Sequence, residues 1–444
     1  MSSRFSTPAT VALTLALLGA GSAQAQTAPG IDVISDSLTL DGTVRSVLDA
    51  NPAVTTLDEL ANAANGRLAQ SRTGFLPQVT GTATYTRIDP VVKLPFGGET
   101  LQLAPNNNYD AHITAQYLLL DFGKSDATVK LAEAQVQTAK DNVTVTRRDL
   151  AYNAAQVYYN ILFVRESIKV QDAQIASLRA HRNEMQKRVE GGVSTRFDVT
   201  TTDVRITQAQ NTKIDLQNQL RNQQVQLARL LHKPSQADLP VKGQLAFQPQ
   251  PVDLEAELKK AYENRPEIKL AHDAETAATL QQRLVERGNM PSLGIGAQVG
   301  AKNGYLPNLN QIKPNTAGVV QLSVPIFDGN KNKNQRLEAA ANARSTVART
   351  QDTQEQIRAD VRQAINNMEF SQARYDNAQQ QITQATDALT RAQGRYRYGV
   401  GQNLDVLDAE TQLAQARLAR TQAMYNYTIG QYQLKRATGE QIWK

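Results

Sequence analysis

Residues 124–190 read KSDATVKLAEAQVQTAKDNVTVTRRDLAYNAAQVYYNILFVRESIKVQDAQIASLRAHRNEMQKRVE, 67 residues without a proline or a glycine. Apolar residues recur along this stretch at alternating spacings of four and three, the heptad pattern of helices that pack as coiled coils. They are Leu150, Ala154, Val157, Ile161, Val164, Ile168, Ile175 and Leu178, with Gln171 in the one gap. At 1.5 Å per residue the predicted helix is roughly 100 Å long. A rod of that length excludes a compact globular protein.

A second rod with the same pattern is predicted over 330–397. Its apolar row consists of Ile357, Val361, Ala364, Met368, Tyr375, Ala378, Ile382, Ala385, Leu389, Ala392 and Tyr396. After a short turn, each rod is followed by a return helix, over about 198–231 and about 405–437. The sequence therefore predicts two long helical hairpins.

Each rod is preceded by two segments whose side chains alternate with a period of two, as in β-strands. The first segment places threonines on one face, at positions 80, 82, 84 and 86, and small or apolar residues on the other. Segments of about ten residues are long enough to cross a bilayer as tilted strands. Tyrosines at their ends suit the interfacial girdle of an outer-membrane barrel. A soluble sandwich packed on one face would show the same alternation, and on the strands alone that alternative stays open.

The chain consists of two related halves. Asn51-Pro52 recurs as Arg265-Pro266 at an offset of 214, and Gly192 recurs as Gly399 at an offset of 207. Fixed offsets broken by one deletion indicate a duplication. The predicted organisation is a signal peptide over 1–25, a first repeat over 38–232, a proline-rich linker over 233–251 and a second repeat over 252–439. The first repeat is predicted to hold helices ~40–74, ~124–190 and ~198–231 and strands ~78–89 and ~109–121. The second is predicted to hold helices ~252–288, ~330–397 and ~405–437 and strands ~291–302 and ~316–327.

Composition and the N-terminus narrow the class of protein. The 48 basic residues exceed the 42 acidic ones by only six, and they alternate with acids along the helices, so we expect solvated helix faces and no nucleic-acid partner. The absence of cysteine excludes a disulfide framework and a thiolate nucleophile. Arg4, the apolar stretch over 11–18 and the sequence Ala23-Gln24-Ala25 are typical of a secretory signal. We therefore predict an exported protein.

The small number of predicted strands has a physical consequence. Four strands cannot close a barrel with a lumen, and an open sheet edge in lipid would leave backbone groups unpaired at several kcal/mol each. Copies of the chain must therefore associate if the strands cross a membrane. A trimer is the simplest closure, because it supplies 12 strands, an even number within the range of known barrels.

The order of the motifs in both halves resembles the TolC-type outer-membrane efflux proteins. The shared motifs are Leu76-Pro77-Gln78, Met290-Pro291-Ser292, VPIFDG over 324–329, Tyr398-Gly399-Val400 and LDVLDAE over 404–410. The resemblance covers essentially the whole mature chain. It implies a mostly helical α+β fold and a homotrimer, with a 12-stranded β-barrel in the outer membrane that continues as a periplasmic α-helical barrel.

The same resemblance implies a function and partners. The trimer would be a channel that serves as the exit duct of a tripartite efflux pump or type I secretion system. It would contact outer-membrane lipid, a periplasmic adaptor (membrane fusion protein) and an inner-membrane RND or ABC transporter. Docking of the adaptor on the periplasmic turns would open the channel.

By resemblance, the gate lies at the turns between each rod and its return helix. Asp405 and Asp408 are one helical turn apart and would form two acidic rings that attract cations. The alternative for Asp405 is that it only complements the N-terminus of its helix. Asp198 and Tyr396 match positions that latch the closed state.

Three glycines, Gly192, Gly399 and Gly401, belong to the same turns. Gly401 stands where relatives with the best-known latch have an arginine, so the corresponding link from aspartate to arginine cannot form. An arginine from elsewhere would have to substitute, and the candidates are Arg196, Arg395 and Arg397.

The sequence gives little support for catalysis. The four histidines are too scattered to form helical ligand pairs for a metal, and the glycines of GIGAQVG over 294–300 depart from the dinucleotide-binding spacing. We expect no enzyme, cofactor or metal site. The competing hypothesis is a periplasmic coiled-coil adaptor or structural protein without a pore, but adaptors lack paired amphipathic strands ahead of each rod.

Overall fold

The described part of the chain, residues 38–97, 99–235 and 239–443 of the computed structural model, contains eight α-helices and six strands. The helices are α1 (Leu40–Ala50), α2 (Pro52–Arg72), α3 (Lys124–Glu190), α4 (Arg196–Leu230), α5 (Leu254–Asn264), α6 (Pro266–Glu286), α7 (Lys331–Arg397) and α8 (Asn403–Thr438). The strands are β1 (Gln78–Arg87), β2 (Lys93–Phe96), β3 (Glu99–Gln102), β4 (Asn107–Leu120), β5 (Ser292–Lys302) and β6 (Lys313–Ser323). The predicted signal peptide over 1–25 lies outside the described residues. Among those residues, no helix is both long enough and apolar enough to cross a membrane.

The prediction of one helix over 40–74 and one over 252–288 is wrong, because each stretch is broken at a proline. Asn51 and Arg265, which precede Pro52 and Pro266, have ψ of 122° and 120° and lie in the extended region. A proline disfavours helical geometry in the residue before it and has no N–H for the helix that would run through it. The same proline is favourable as the first residue of the next helix, where that N–H would have no partner.

The two rods bury the heptad rows that the sequence marks. In α3 the buried positions include Leu150, Ile161, Leu178 and the polar Gln171, and in α7 they include Val361 among others. Each rod is 67 residues long and packs along its return helix. The prediction of two helical hairpins is confirmed. We call α3 with α4 the first hairpin and α7 with α8 the second hairpin.

The four long strands form one antiparallel sheet in the order β1-β4-β5-β6. Its central pair, β4 with β5, joins the two repeats, and β1 and β6 are its edges. Thr82 pairs with His112 and His112 with Gly300, so polar and glycine residues share one face. Apolar residues of all four strands share the opposite face, as the period of two predicts: Val79, Tyr85, Ile113, Ile295, Val299 and Val320.

Two details of the strands differ from the predicted ones. β6 ends at Ser323 and not near 327, because Pro325 cannot donate to a strand ladder. The segment between the first two predicted strands, residues 89–108, contains the additional hairpin of β2 and β3. Its turn includes Gly97, with φ of +60°, in a Gly-Gly dipeptide that is a recognised hairpin signal.

A buried charged cluster joins α3, α6 and α7 at the second proline break. The guanidinium of Arg148 makes two hydrogen bonds to the carboxylate of Glu267. Arg265 donates to Glu267 at 3.2 Å and to Asp360 at 2.6 Å. The side chains of Arg148 and Arg265 are only 7% and 6% exposed. Ion pairs this well buried are strongly coupled to the packing of the helices around them.

Candidate functional site

The predicted site residues lie at the two turns that close the hairpins. Residues 191–195 join α3 to α4, and residues 398–402 join α7 to α8. Gly192 and Gly399 have φ of +74° and +77°, a left-handed conformation that glycine adopts without steric cost. The residue after each glycine donates its N–H to a carbonyl five residues earlier, the arrangement that commonly ends a helix. We call these two turns with the adjoining helix ends the tip.

Gly401 is required by close packing within the second turn. A Cβ at this position would lie 2.9 Å from the Cβ of Arg395 and 3.0 Å from the backbone nitrogen of Tyr396. Backbone cannot yield to such a contact as easily as the end of a flexible side chain. The turn therefore leaves no room for an arginine at 401.

Asp198 and Asp405 occupy equivalent positions in the two return helices. Each is the third helical residue and accepts a hydrogen bond from the backbone N–H of the residue that caps its helix, Thr195 at 3.1 Å and Gln402 at 3.3 Å. In both cases the capping side chain reciprocates, which makes a capping box. This is why α4 and α8 begin at Arg196 and Asn403, two residues before the predicted starts at 198 and 405.

The carboxylate of Asp198 makes its contacts within its own hairpin. Besides the backbone of Thr195, it accepts from the hydroxyls of Thr195 at 2.8 Å and Ser194 at 3.0 Å. Partial burial acts to raise the pKa of Asp198, but the hydrogen bonds from Thr195 and Ser194 outweigh it and hold the pKa below its usual value. Asp198 is therefore ionised across the physiological pH range.

Asp405 and Asp408 are both exposed on α8, but their surroundings differ. Asp405 caps its helix, as the alternative interpretation proposed, and in the described part of the chain it has no cationic partner. Asp408 accepts from the guanidinium of Arg205 on α4 at 3.2 Å. Within the described part of one chain, then, the carboxylate of Asp408 is paired with a cation and that of Asp405 is not.

Arg205 was not among the arginines considered from the sequence. Among the described residues, the guanidinium of Arg395 donates to the carbonyl of Val400 in its own turn, at 3.4 Å. In the described residues, no hydrogen bond or ion pair joins the side chain of Arg196 or Arg397 to another helix. The ion pair between α4 and α8 is thus made by Arg205, which lies about two helical turns into α4 and not in the loop that joins α3 to α4.

Tyr396 lies at the centre of the tip and is 9% exposed. Its hydroxyl is 3.1 Å from that of Ser194, which in turn donates to Asp198. The guanidinium of Arg188 lies over its ring, 4.9 Å from the centroid, and donates to two carbonyls at the end of α7. Tyr396 thus connects the second hairpin to the first, and it reaches Asp198 through Ser194.

Asn403 is a site residue that the sequence interpretation missed. It is the first residue of α8 and is 6% exposed, with its amide between α3 and α4 of the first hairpin. Its Nδ2 donates to the carbonyl of Asp198 at 3.0 Å, and its Oδ1 is 2.8 Å from Nε2 of His181. One signal was present: at the offset of 207 its counterpart in the first repeat is Arg196, so the duplication is broken here.

Apolar packing joins the hairpins beneath these polar contacts. Leu407 of α8 packs with Ile206 of α4 and Leu178 of α3 in one buried cluster. A second cluster around Tyr396 consists of Met185, Val199, Ala385, Leu389, Val406, Ala409 and Leu413. The tip is therefore a small four-helix core whose polar bonds lie at its end.

Comparison with known proteins agrees with this architecture. Residues 43–232 and 258–440 match the model of a family described as outer membrane efflux protein. The chain belongs to this family. The two matched blocks coincide closely with the two repeats, and the resemblance noted in the sequence is confirmed. As a member of the outer membrane efflux protein family, the protein is located in the cell outer membrane.

Several characterised relatives align over most of the chain. TolC of Escherichia coli strain K12 is 24% identical over 393 residues, which are 85% of this chain and 77% of that protein. TolC of Vibrio cholerae is 24% identical over 401 residues, 88% of each chain. The alkaline protease secretion protein AprF of Pseudomonas aeruginosa is 24% identical over 330 residues, 72% of this chain and 68% of that one.

Solved structures show the same fold. A membrane protein from Pseudomonas aeruginosa superposes with a TM-score of 0.79 at 20% identity and covers 91% of this chain and 90% of its own. The outer membrane protein VceC from Vibrio cholerae gives a TM-score of 0.76 at 19% identity and covers 91% and 96%. These structures therefore share the mostly helical α+β fold over about nine tenths of this chain.

Proposed function

We propose that three copies of this chain form an outer-membrane channel that is the exit duct of a tripartite efflux pump or type I secretion system. The observation that carries the proposal is the sheet. Its apolar face is exposed in the single chain: Val79 is 67%, Val299 is 61% and Val320 is 72% exposed. A continuous apolar face of this kind marks a surface that contacts lipid or another protein.

The edges of the sheet require further copies. β1 and β6 each pair on one side only. In lipid, unpaired strand edges cost too much free energy to persist, so β6 of one copy would pair with β1 of the next. Three copies close a ring of 12 strands, with apolar residues toward lipid and the threonine face toward the lumen.

The helices would continue this ring as a tunnel in the periplasm. The rods begin directly after β4 and β6 and are roughly 100 Å long, so the tip lies far from the sheet. There a periplasmic adaptor would dock and open the tip, and an inner-membrane RND or ABC transporter would supply the energy. The family description, outer membrane efflux protein, supports the efflux route, and a relative named for alkaline protease secretion supports the secretion route.

A periplasmic adaptor without a pore is the competing function, and the sheet disfavours it. An adaptor would not need four strands with a shared apolar face that no other element of the described chain covers. The tip residues give the channel its gate: the Asp405 carboxylates of three copies would face the narrowed end, while Asp408 is compensated by Arg205.

Two adjacent residues of β6 provide a matched test. Val320 lies on the apolar face, opposite Ile295, and Val319 lies on the other face, opposite Gly296. An arginine at the bilayer midplane on the lipid face costs about 2–4 kcal/mol. We expect Val320→Arg to reduce the yield of membrane-inserted trimer strongly, whereas Val319→Arg inserts and changes the conductance of planar bilayers.

Oligomeric state in mild detergent and conductance of the wild-type protein are measured in the same series. A monomeric wild type that forms no channels contradicts the proposal. Equal tolerance of arginine at 319 and 320 contradicts the assignment of the lipid face.

A further inference from the structure

The tip contains one buried polar side chain that bonds to both helices of the opposite hairpin. Nδ2 of Asn403 donates to the carbonyl of Asp198 at 3.0 Å and lies 3.4 Å from the hydroxyl oxygens of Thr201 and Thr202. Oδ1 of the same amide faces Nε2 of His181 on α3. Asn403 therefore joins the first turn of α8 to α4 and to α3 at once.

The hydrogen-bonding capacity of this amide is well matched to its surroundings. All three oxygens lie on the side of its NH2 group, and the histidine nitrogen lies on the side of its carbonyl, which requires His181 to carry its proton on Nε2. Thr202 is fully buried, and its hydroxyl donates to the carbonyl of Asp198 at 2.8 Å. Buried polar groups with this degree of satisfaction hold one geometry and lose it when any partner leaves.

One other polar link between the hairpins, the pair of Arg205 and Asp408, is a weaker candidate for holding the tip together. The pair of Arg205 and Asp408 is 35% and 51% exposed, and exposed ion pairs contribute about 0–1 kcal/mol. The carboxylate of Asp198 is occupied within its own turn, and Gly401 leaves no room for an arginine. Any motion that moves α8 away from the first hairpin must break the bonds of Asn403.

We propose that Asn403 is a clasp that holds the tip closed, with His181 and Thr202 as the partners that position its amide. The inference rests on the proposed channel function and assigns a regulatory residue to its gate. Neutral hydrogen bonds exchange readily with water once a site opens, so each contributes only a modest net free energy. A clasp of that strength is one that docking of an adaptor can release.

The test compares Asn403→Leu with Asn426→Leu in planar bilayers. Leucine branches at the same carbon as asparagine but forms no side-chain hydrogen bonds. Asn426 lies on the same helix, and among the described residues its side chain bonds only to Gln422 of that helix. We expect Asn403→Leu to raise the open fraction of single channels about tenfold, which corresponds to about 1.4 kcal/mol. Asn426→Leu should behave as the wild type.

A second variant controls for the possibility that Asn403→Leu changes the folding of the tip instead of only removing its hydrogen bonds. The chain has no cysteine, so Thr202→Cys with Asn403→Cys introduces one pair of thiols at side chains that now touch. The oxidised pair should conduct no more than the wild type, and reduction should raise the open fraction about tenfold, as in Asn403→Leu.

The outcomes separate the two ideas. If the trimers conduct but their open fraction is the same in the wild type, in Asn403→Leu and in both redox states, the proposal of the clasp is wrong. The proposal of the channel is then unaffected. Absence of conductance in every form, the wild type included, overturns the channel and the clasp together.

Discussion

Removal of Arg205 tests how charge is distributed at the gate. In the wild type, three Asp405 carboxylates would be uncompensated and three Asp408 carboxylates would be paired with Arg205 at 3.2 Å. Arg205→Gln keeps a side chain of similar reach and removes its charge, so the second ring gains three net negative charges in the trimer. The pair is about half exposed, so the loss of stability should be at most about 1 kcal/mol.

The effect on the binding of a divalent cation in the constriction is at least as large as this loss of stability. In water, a unit charge 10 Å away attracts a monovalent cation by about 0.4 kcal/mol and a divalent one by about 0.8 kcal/mol. Three carboxylates therefore add about 2.5 kcal/mol for a divalent cation before screening, and ionic strength near 0.15 M reduces this to about 1 kcal/mol. We expect Arg205→Gln to strengthen block by divalent cations several-fold in single-channel recordings.

The variants of the two aspartates complete the experiment. In the wild-type background, Asp405→Asn should weaken block more than Asp408→Asn, whereas in the Arg205→Gln background the two should have similar effects. Arg221→Gln is the control, since Arg221 is an exposed arginine further along α4. The reasoning is refuted if Arg205→Gln leaves block unchanged while Asp408→Asn weakens it as much as Asp405→Asn does.

Two further predictions concern the helical cluster and the sheet. Burial acts to raise the pKa of Glu267, but the bonds from Arg148 outweigh it and lower the pKa to about 2. A lowered pKa means that the stabilisation is complete above the ordinary value near 4.5 and is lost as pH falls toward 2, by up to about 3 kcal/mol. Acid titration of unfolding should therefore be shallower between those pH values in Glu267→Gln than in the wild type, and equal steepness would contradict the assignment. In β5, a Cβ at Gly300 would lie 2.3 Å from the carbonyl oxygen of Ala111. Gly300→Ala should therefore reduce trimer yield sharply, whereas Gly318→Ala, where nothing lies within 4 Å, should not.

The parts of the fold that repeat were predictable from the sequence. Heptad spacing marks the rods because the same face is buried along all 67 residues, and a period of two marks the strands because one face is apolar throughout. The motifs at Pro52 and Pro266 indicate the duplication, and each also marks a helix boundary, which the predicted helices over 40–74 and 252–288 do not include. A single residue changes the local geometry there without changing the overall pattern.

The tip was predictable only in part, because its contacts are not local. Asp405 and Asp408 were found through a family motif, but the partner of Asp408 is 203 residues away on another helix. Neither periodicity nor motif matching indicates which of the four arginines on α4 lies close enough to pair with Asp408. His181 likewise had no distinguishing spacing, and its role follows from the amide 222 residues away.

The contacts that join the hairpins arise where the two repeats differ. At the offset of 207, the position of Asn403 is occupied by Arg196 in the first repeat, and that of Asp408 by Thr201. A duplicated chain offers two nearly equivalent hairpins, and equivalent surfaces bind each other only if each is self-complementary. The divergence at these few positions makes the two hairpins complementary instead, because Asn403 and Asp408 of the second hairpin bond to Asp198, His181 and Arg205 of the first. The apolar rows that build the rods stay alike in both.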